Sequence, residues 1–341
     1  MSKSPFRIYE QLPPPPSDAI TYSQVLERMK LGAPLIVADG MGVDSTWMLM
    51  LMKKIGITPD LIQFSNTGSE KPETMAYLAN RRAWLARNDF PAQQMVQKKI
   101  VRVQDHSLED QCIRTASLPS LAYGGKTCSL KWKAAVMDRE LTHWERCRTS
   151  WKAGIRAIKV IGYDNGPSDG RRVKIWHDRR FSYWYILRDP EVGGYDREQC
   201  KENIAMAGEV VPIKSACYMC PASKKAEILW LEQHHPELLE RAMEIEKVYR
   251  EGKHFRQPEL LPVFKKNKLT GLKVPVMDRK TGEQKIAWTE PVRGLGRTWS
   301  WTDFIAEERE RRRISPGLFD FLLEYPAAAP IAAAVLKELA A

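Results

Sequence analysis

Short apolar runs alternate with amphipathic segments over the first two thirds of the chain. Helical patterns follow the first two of these runs, one reaching about Ile55 and the other extending from about Glu73 to Asn88. Alternation of this kind is typical of a parallel sheet that helices cover on both faces. The runs predicted to be buried strands are LIVAD (35–39), DLIQFSN (60–66), KKIVRV (98–103) and AIKVIGYD (157–164).

The same patterns divide the chain into three parts. Residues 1–33 combine the stiff run Pro13–Pro16 with an amphipathic helix, and residues 34–246 carry the alternating strands and helices. In residues 247–341 the pattern changes to two strand-like runs joined at a Thr-Gly turn, a charged helix and an alanine-rich terminal helix. The predicted fold is therefore α/β, with a doubly wound, mostly parallel sheet and a C-terminal α+β extension.

The composition indicates an ordinary globular protein without membrane spans. Of the 341 residues, 43% are apolar and 28% are charged, and no apolar stretch is long enough to cross a bilayer. The first residues, MSKSPFRIYEQLPPPP, lack the apolar core of a signal peptide, so we expect a cytoplasmic protein with no membrane partner. In that reducing setting the six cysteines are expected to be thiols or metal ligands.

The positive charge is concentrated in two segments. The net charge is +11, and Lys and Arg outnumber Asp and Glu within residues 126–180 and again within residues 251–313. Two separate basic segments favour a polyanionic partner, for which nucleic acid (tRNA or DNA) is the common choice. Solvated basic loops without such a partner are the alternative.

A glycine-rich turn, GMGVDS (40–45), stands between the first predicted strand and its helix. Such a turn presents backbone N–H groups beside the positive end of a helix, and this arrangement binds phosphate. The Lys-Ser/Thr ending of the ATP-binding P-loop is absent, and the glycine spacing differs from that of the dinucleotide fingerprint. From this turn alone, a phosphate site and a plain strand-to-helix turn are equally good interpretations.

A second motif, TGSEKPET (67–74), follows the second predicted strand. Together the two motifs resemble those of the PP-loop superfamily of ATP pyrophosphatases, in its phosphoadenosine phosphosulfate reductase-like branch. That family has Ser-Gly-Gly-x-Asp-Ser after its first strand and Thr-Gly-x-Glu-x-Pro-Glu-Thr after its second. This chain departs from the first motif in having Gly40 in place of Ser, Met41 in place of Gly, and Val43 where Lys is frequent.

Two later segments extend the resemblance, which runs from about Leu35 to Glu246. GGKTCSLKWKAAVMD is similar to an Arg-x-Cys-Thr…Lys stretch of the family, with Cys128 and Lys131 at the matching positions. The segment that contains SACYMCP resembles the family's Ser-x-Cys-x-x-Cys-Pro. The resemblance implies a Rossmann-like fold of the adenine nucleotide alpha hydrolase type.

The resemblance also implies that the chain binds ATP with Mg²⁺ and adenylates a substrate oxygen, releasing pyrophosphate. Asp44 would then help to place the magnesium ion, the Ser45 hydroxyl would hold the pyrophosphate, and Lys131 would neutralise developing charge. Glu70 and Glu73 would bind ribose or metal, or simply favour the N-terminus of the next helix. Arg171 and Arg172 would grip a phosphate, and a solvated loop is an equal alternative for both. The expected nucleotide-binding residues are Gly40, Met41, Gly42, Val43, Asp44, Ser45, Thr67, Gly68, Glu70, Glu73, Arg171 and Arg172.

Cys217 and Cys220, in CYMCP, have the spacing of metal ligands. With Cys128 they form a candidate set for a [4Fe–4S] cluster, which suits the iron–sulfur members of the superfamily. The fourth ligand would be Cys112 or Cys200, or the position would stay open for exogenous sulfide. Zinc is the alternative metal, and a redox-active pair or buried thiols are the alternatives without a metal.

Three functions are compatible with these features. The first is an ATP-dependent enzyme that transfers sulfur to nucleic acid or otherwise modifies it, which accounts for the turn, the cysteines and the basic segments together. The second is a sulfonucleotide (phosphoadenylyl-sulfate) reductase, which is disfavoured because no cysteine follows Cys220 and the C-terminal Glu-Cys-Gly motif of those enzymes is absent. The third is a non-catalytic, metal-stabilised nucleic-acid-binding subunit, which the departures in the first motif keep open.

Overall fold

A parallel sheet of five strands organises the first part of the chain in a computed structural model of the protein. The strands are β1 (Leu35–Ala38), β2 (Leu61–Asn66), β3 (Gln93–Gln97), β4 (Ala157–Ile161) and β5 (Phe181–Trp184). Their order in the sheet is β3-β2-β1-β4-β5, and every neighbouring pair is parallel. The predicted α/β class is confirmed, and the arrangement is consistent with a Rossmann-like fold. The structure describes residues 19–98, 103, 105–125, 127–170, 172–173, 178–255, 260–262, 264–266, 272–278, 281–288 and 292–314.

The chain forms two compact units, Met1–Asp110 with Lys126–Tyr218 and Gln111–Gly125 with Met219–Ala341. A π-helical turn at Leu130–Ala134 and a 3-10 turn at Ile186–Arg188 belong to the first unit. No helix within the described ranges combines the length and the apolarity needed to cross a membrane. The helices up to Tyr218 are α1 (Tyr22–Lys30), α2 (Val43–Lys54), α3 (Pro72–Arg87), α4 (Leu108–Thr115), α5 (Thr127–Ser129), α6 (Ala135–His143), α7 (Glu145–Lys152), α8 (Pro167–Gly170) and α9 (Arg197–Met206).

The alternation of side chains along β1 explains why helices cover both faces of the sheet. Leu35 and Val37 pack with Trp47 of α2 in one core, whereas Ile36 packs with Trp151 of α7 in a second core. α2 is apolar on nearly all sides and packs against α9 as well as the sheet. The first turn of α2 is therefore held firmly at the edge of the sheet where β1 ends.

The third strand lies ahead of its predicted position. β3 spans Gln93–Gln97, and most of the predicted run KKIVRV, residues 99–102, lies outside the described residues. β3 is an edge strand, so polar side chains such as that of Gln94 stay exposed and the apolar signal is weak. The other edge strand, Phe181–Trp184, is also absent from the predicted strands, although most of its residues are buried.

Within its described residues, the second unit contains three longer helices and two small antiparallel sheets. The predicted charged helix is confirmed, and it begins where the buried carboxylate of Glu246 accepts the N–H groups of Trp301 (2.9 Å) and Thr302 (2.9 Å). The predicted alanine-rich terminal helix lies outside the described residues. The elements are a 3-10 turn (Ser120–Tyr123), α10 (Lys225–His234), α11 (Pro236–Glu251), α12 (Trp301–Ile314), β6 (Leu260–Pro262) paired with β9 (Ile286–Trp288), and β7 (Phe264–Lys266) paired with β8 (Lys273–Pro275).

Candidate functional site

The candidate site lies at the carboxyl edge of the parallel sheet, where β1 and β4 end side by side. α2 begins there, directly after the turn that follows β1, and the loop with Gly162 and Asp164 follows β4. In doubly wound sheets a crevice forms where the strand order reverses, and ligands bind in it. The order reverses between β1 and β4, so the topology alone makes this edge a binding position.

The turn from β1 into α2 is tightly held. Met41 is buried with φ +58°, a left-handed conformation, and its N–H donates to Oδ1 of Asp39 (2.8 Å). Gly42 is the N-cap of α2, and its N–H donates to Oγ of Ser45 (3.1 Å). The first N–H groups of a helix have no acceptor within the helix. Those of the first turn of α2 are therefore the donors that this helix end offers to an anion.

Two glycines allow close packing around the start of α2. A Cβ atom at Gly162 would lie 3.2 Å from backbone atoms of Asp44 and Ser45, so the end of β4 packs directly on the helix N-terminus. A Cβ atom at Gly42 would lie 2.9 Å from Oγ of Ser215. The Ser215 hydroxyl therefore belongs to this site, a position that the sequence analysis does not predict. Ser215 is the first residue of the SACYMCP motif, and its position in that motif is the sequence signal that could have predicted it.

Three carboxylates meet at the start of α2: Asp44 is in its first turn, and Asp164 and Asp169 come from the segment after β4. One oxygen each of Asp44, Asp164 and Asp169 lie within 4.8 Å of one another. Across the part of the chain that the structure describes, this is the one group of three or more His, Cys, Asp or Glu ligand atoms so close together. Arg197 pairs with Asp44 (3.0 Å) and Arg172 pairs with Asp169 (3.0 Å), which offsets part of the repulsion between the carboxylates.

The environment of Asp44 fits a divalent cation. Burial, opposed by Arg197 and assisted by Asp164 and Asp169, raises the pKa of Asp44 to about 6. Oδ1 of Asp44 is buried with no hydrogen-bond partner among the described residues. A buried carboxylate oxygen beside two further carboxylates is a donor set that suits a hard cation such as Mg²⁺. The residues therefore fit the predicted Mg²⁺, with Asp164 and Asp169 added to Asp44.

The second motif forms a loop after β2 that holds a buried carboxylate. Gly68 has φ +74°, and a Cβ atom there would lie 2.7 Å from that of Ser107, so only glycine suits this position. Glu70 accepts the Thr67 hydroxyl (3.0 Å) and pairs with Nζ of Lys133 (2.9 Å) through the same oxygen. Its other oxygen, Oε2, is buried and has no hydrogen-bond partner within the described residues. That oxygen is the acceptor that the loop offers to a ligand hydroxyl.

The SACYMCP segment reaches this loop by strand-like pairing. The N–H of Tyr218 donates to the carbonyl of Ser69 (3.0 Å), and Sγ of Cys217 lies 3.1 Å from Oγ1 of Thr67. The glycine turn, the TGSE loop and the segment Ser215–Cys217 thus converge on one edge of the sheet. The distances between these three segments along the sequence do not predict that they lie together.

The lysine that contacts the loop carboxylate is Lys133. Lys131, which the sequence predicts to neutralise charge, lies exposed on the same π-helical turn. The Ser65 hydroxyl at the end of β2 donates to the carbonyl of Trp132 (2.9 Å) and fixes this turn to the sheet. A π-helical turn changes the phase of the residues around it, so spacing alone does not tell which lysine faces the loop. Lys133 joins the candidate site, and the role of Lys131 stays a prediction.

The remaining predicted nucleotide contacts are unevenly distributed. The guanidinium of Arg172 is exposed and lies 5.7 Å from the ring centroid of Tyr163, whereas Arg171 lies outside the described residues. Glu73 is half-buried in the first turn of α3, where a carboxylate favours the positive helix end. The Val43 side chain packs in the core, so any contact that Val43 makes with a nucleotide is through its backbone.

All six cysteines are thiols rather than disulfides. Cys147 and Cys200 are completely buried, and burial raises the pKa of both thiols, that of Cys147 to about 12. Both are therefore core residues rather than reactive groups. The [4Fe–4S] cluster and its zinc alternative stay predictions. Of their expected ligands, the first unit holds Cys128 and Cys217, and the second holds Cys112 and Cys220.

No protein-family model matches this chain, and no curated protein matches it either. A function is therefore inferred from the carboxyl edge of the sheet. That edge combines the N-terminus of α2, a carboxylate triad and a loop with a buried acceptor.

Proposed function

We propose that the chain is a PP-loop enzyme of the phosphoadenosine phosphosulfate reductase-like type, with an adenine nucleotide alpha hydrolase fold. It binds ATP at the carboxyl edge of β1 and β4, adenylates a substrate oxygen and releases pyrophosphate. One observation carries the proposal: the glycine turn at the start of α2 lies beside a carboxylate triad that suits Mg²⁺. A metal-bound polyphosphate requires an anion site and a cation site side by side.

The N-terminus of α2 and the carboxylate triad would each bind a different part of the Mg²⁺–polyphosphate complex. The first N–H groups of α2 would bind phosphate oxygens, and the triad around Asp44 would hold Mg²⁺. When bound, the cation supplies positive charge that stabilises the phosphates during displacement at the α-phosphorus. Arg197 and Arg172 now pair with the triad, and with the cation present they would be released to bind phosphate oxygens.

The loop after β2 would bind the nucleoside. Oε2 of Glu70 is a buried acceptor and would accept a hydrogen bond from a ribose hydroxyl. Lys133 pairs with the other oxygen of Glu70, Oε1, which leaves Oε2 as the acceptor for the ligand. Cys217 lies beside the same loop, with its Sγ 3.1 Å from Oγ1 of Thr67, so a thiol stands next to the proposed nucleoside position.

Nucleic acid is the proposed acceptor, modified by sulfur transfer or a related reaction. The basic segments 126–180 and 251–313 provide the charge that a polyanion requires. Burial, together with the charge of Lys131 in the first segment, lowers the pKa of Lys98. Two neighbouring ammonium groups suit a phosphate group of the acceptor.

A non-catalytic nucleic-acid-binding subunit is the second candidate. Ser45 is engaged with Gly42 and Asp44 with Arg197, so both groups expected to act on ATP have partners within the chain. This candidate predicts nucleic-acid binding that is indifferent to ATP, whereas the enzyme predicts release of pyrophosphate.

Pyrophosphate release from ATP, measured with and without tRNA or DNA, tests the proposal. Ser45→Ala should lower the rate by about tenfold or more, because it removes a polar contact at the phosphates. Ser23→Ala, which deletes an exposed hydroxyl on α1, is the matched control and should leave the rate unchanged. Equal rates in the wild type and Ser45→Ala would exclude the turn from the reaction. Nucleic-acid binding without any ATP turnover would favour the second candidate.

A further inference from the structure

A buried ion pair lies directly behind the glycine turn. Arg81 of α3 is 1% exposed, the Asp39 side chain is fully buried, and Nε of the arginine lies 3.0 Å from Oδ2 of the aspartate. Burying two charges is costly, and apolar residues of similar volume are often as stable as a buried ion pair. Core stability alone therefore does not explain a pair in this position.

The Arg81–Asp39 ion pair is connected by hydrogen bonds to the Met41 N–H and to the Gly42 carbonyl of the glycine turn. Oδ1 of Asp39 accepts the N–H of Met41 (2.8 Å). Nη2 of Arg81 donates to Oγ1 of Thr46 (2.7 Å), and the Thr46 hydroxyl donates to the carbonyl of Gly42 (2.8 Å). One guanidinium is thus linked to the turn at Met41 on one side and at Gly42 on the other.

These hydrogen bonds hold Met41 in a backbone conformation that it would not otherwise prefer. Met41 has φ +58°, in a left-handed region that residues other than glycine seldom occupy. Gln93 of β3 also donates to Oδ2 of Asp39 (2.6 Å), so a further element orients this carboxylate. The Met41 and Gly42 peptide groups lead directly into α2, and their orientation sets the direction of its first N–H groups.

We propose that Arg81 and Asp39 are positioning residues that hold the turn in its anion-binding conformation, an inference that rests on the proposed function of that turn. Arg81 acts through Thr46 and Asp39 acts through Met41, and neither needs to touch the nucleotide. Without the guanidinium, the Thr46 hydroxyl that donates to the Gly42 carbonyl loses the donor that orients it, and the Asp39 carboxylate loses its counter-charge. The turn would then relax towards negative φ, and the helix N–H groups would no longer point to a common position.

Calorimetric titration with inorganic pyrophosphate, together with kcat and KM for pyrophosphate release, tests this role. Arg81→Gln and Asp39→Asn should each weaken pyrophosphate binding and lower kcat/KM by about tenfold or more, in protein whose circular dichroism matches the wild type. Arg87→Gln is the matched control. Arg87 is on the same helix, but its side chain is 58% exposed and pairs with Glu209 at the surface (2.9 Å), so both constants should be unchanged.

Chemical rescue separates positioning from a general loss of stability. A cavity of about 220 Å³ is lined by Arg81 and Thr46, so a small cation can reach the space that Arg81→Ala vacates. Millimolar guanidinium should restore pyrophosphate binding to Arg81→Ala. Urea, which has a similar shape and no charge, should not restore it.

Wild-type pyrophosphate affinity in folded Arg81→Gln and Asp39→Asn would overturn the positioning role, and so would equal rescue by urea. If Arg81→Gln does not fold, Asp39→Asn and the rescue of Arg81→Ala decide the question. A wild type that binds pyrophosphate but does not turn over ATP would reject the adenylating function and leave the positioning role to be judged from binding. A wild type that binds no pyrophosphate would reject both.

Discussion

Replacing Asp44 by asparagine is expected to make the metal-free chain more stable at neutral pH. Burial, opposed by Arg197 and assisted by Asp164 and Asp169, raises the pKa of Asp44 from 3.8 to about 6. Each pKa unit corresponds to about 1.4 kcal/mol, so the ionised carboxylate costs the folded state up to roughly 3 kcal/mol at pH 7. Asparagine removes this cost, which already contains the attraction of Arg197, and solvent that reaches the partly exposed site reduces it. We therefore expect a net gain of about 1–2 kcal/mol in the free energy of unfolding.

The pH dependence of this gain has a definite sign. A carboxyl group with a higher pKa in the folded state favours folding while it is protonated. The contribution of Asp44 is therefore fully present below its unfolded pKa of 3.8 and is lost as the pH rises through about 6. The wild type and Asp44→Asn should be equally stable near pH 3.8. The variant should become more stable between the two values, with a constant difference above the upper one.

Urea unfolding at a series of pH values, followed by circular dichroism, measures the difference. Glu198→Gln, at a side chain that is 72% exposed on α9, is the matched control and should show no such trend. Mg²⁺ should stabilise the wild type above about pH 6 and should not stabilise Asp44→Asn, because the cation binds the ionised triad. A variant less stable than the wild type at pH 7, or a difference independent of pH, would refute the buried charge at Asp44.

Two further results are expected. Glu246→Ala should destabilise the second unit by about 3 kcal/mol or more in urea unfolding, because three backbone N–H groups lose their acceptor. Glu237→Ala, at a side chain 65% exposed on the same helix, should have little effect, and equal effects would contradict the capping role. Replacing Cys217 and Cys220 together by serine should abolish a broad absorbance near about 400 nm in anaerobically purified protein. A colourless wild type, with zinc or without metal, would reject the cluster.

The sequence by itself determined the features that lie within single segments. The apolar run of β1, the glycine turn after it and the buried helix that follows are recognisable because burial and backbone freedom are local properties of the residues. The TGSEKPET motif was recognisable because its residues resemble a known motif in consecutive order, and Gly68 is one position where the structure requires glycine. The polar edge strand Gln93–Gln97 was missed because an edge strand needs no continuous apolar run.

Pairings between distant segments were beyond the sequence. Nothing in the order of residues connects Asp39 with Arg81, yet the fold buries both and places their charged groups 3.0 Å apart. The choice of Lys133 over Lys131 depends on a π-helical turn and on its hydrogen bond to Ser65. Helix phase of this kind follows from packing against the sheet rather than from residue spacing.

Only the tertiary structure decided which residues share the site. Asp164 and Asp169 follow β4, and they meet Asp44 because β4 pairs with β1 although the chain forms β2 and β3 in between. The segment Ser215–Cys217 arrives beside the same edge from still further along the chain. The apolar pattern of each element records which of its faces is buried. The order of the strands is set by the burial of all these faces together, and that order determines which loops meet.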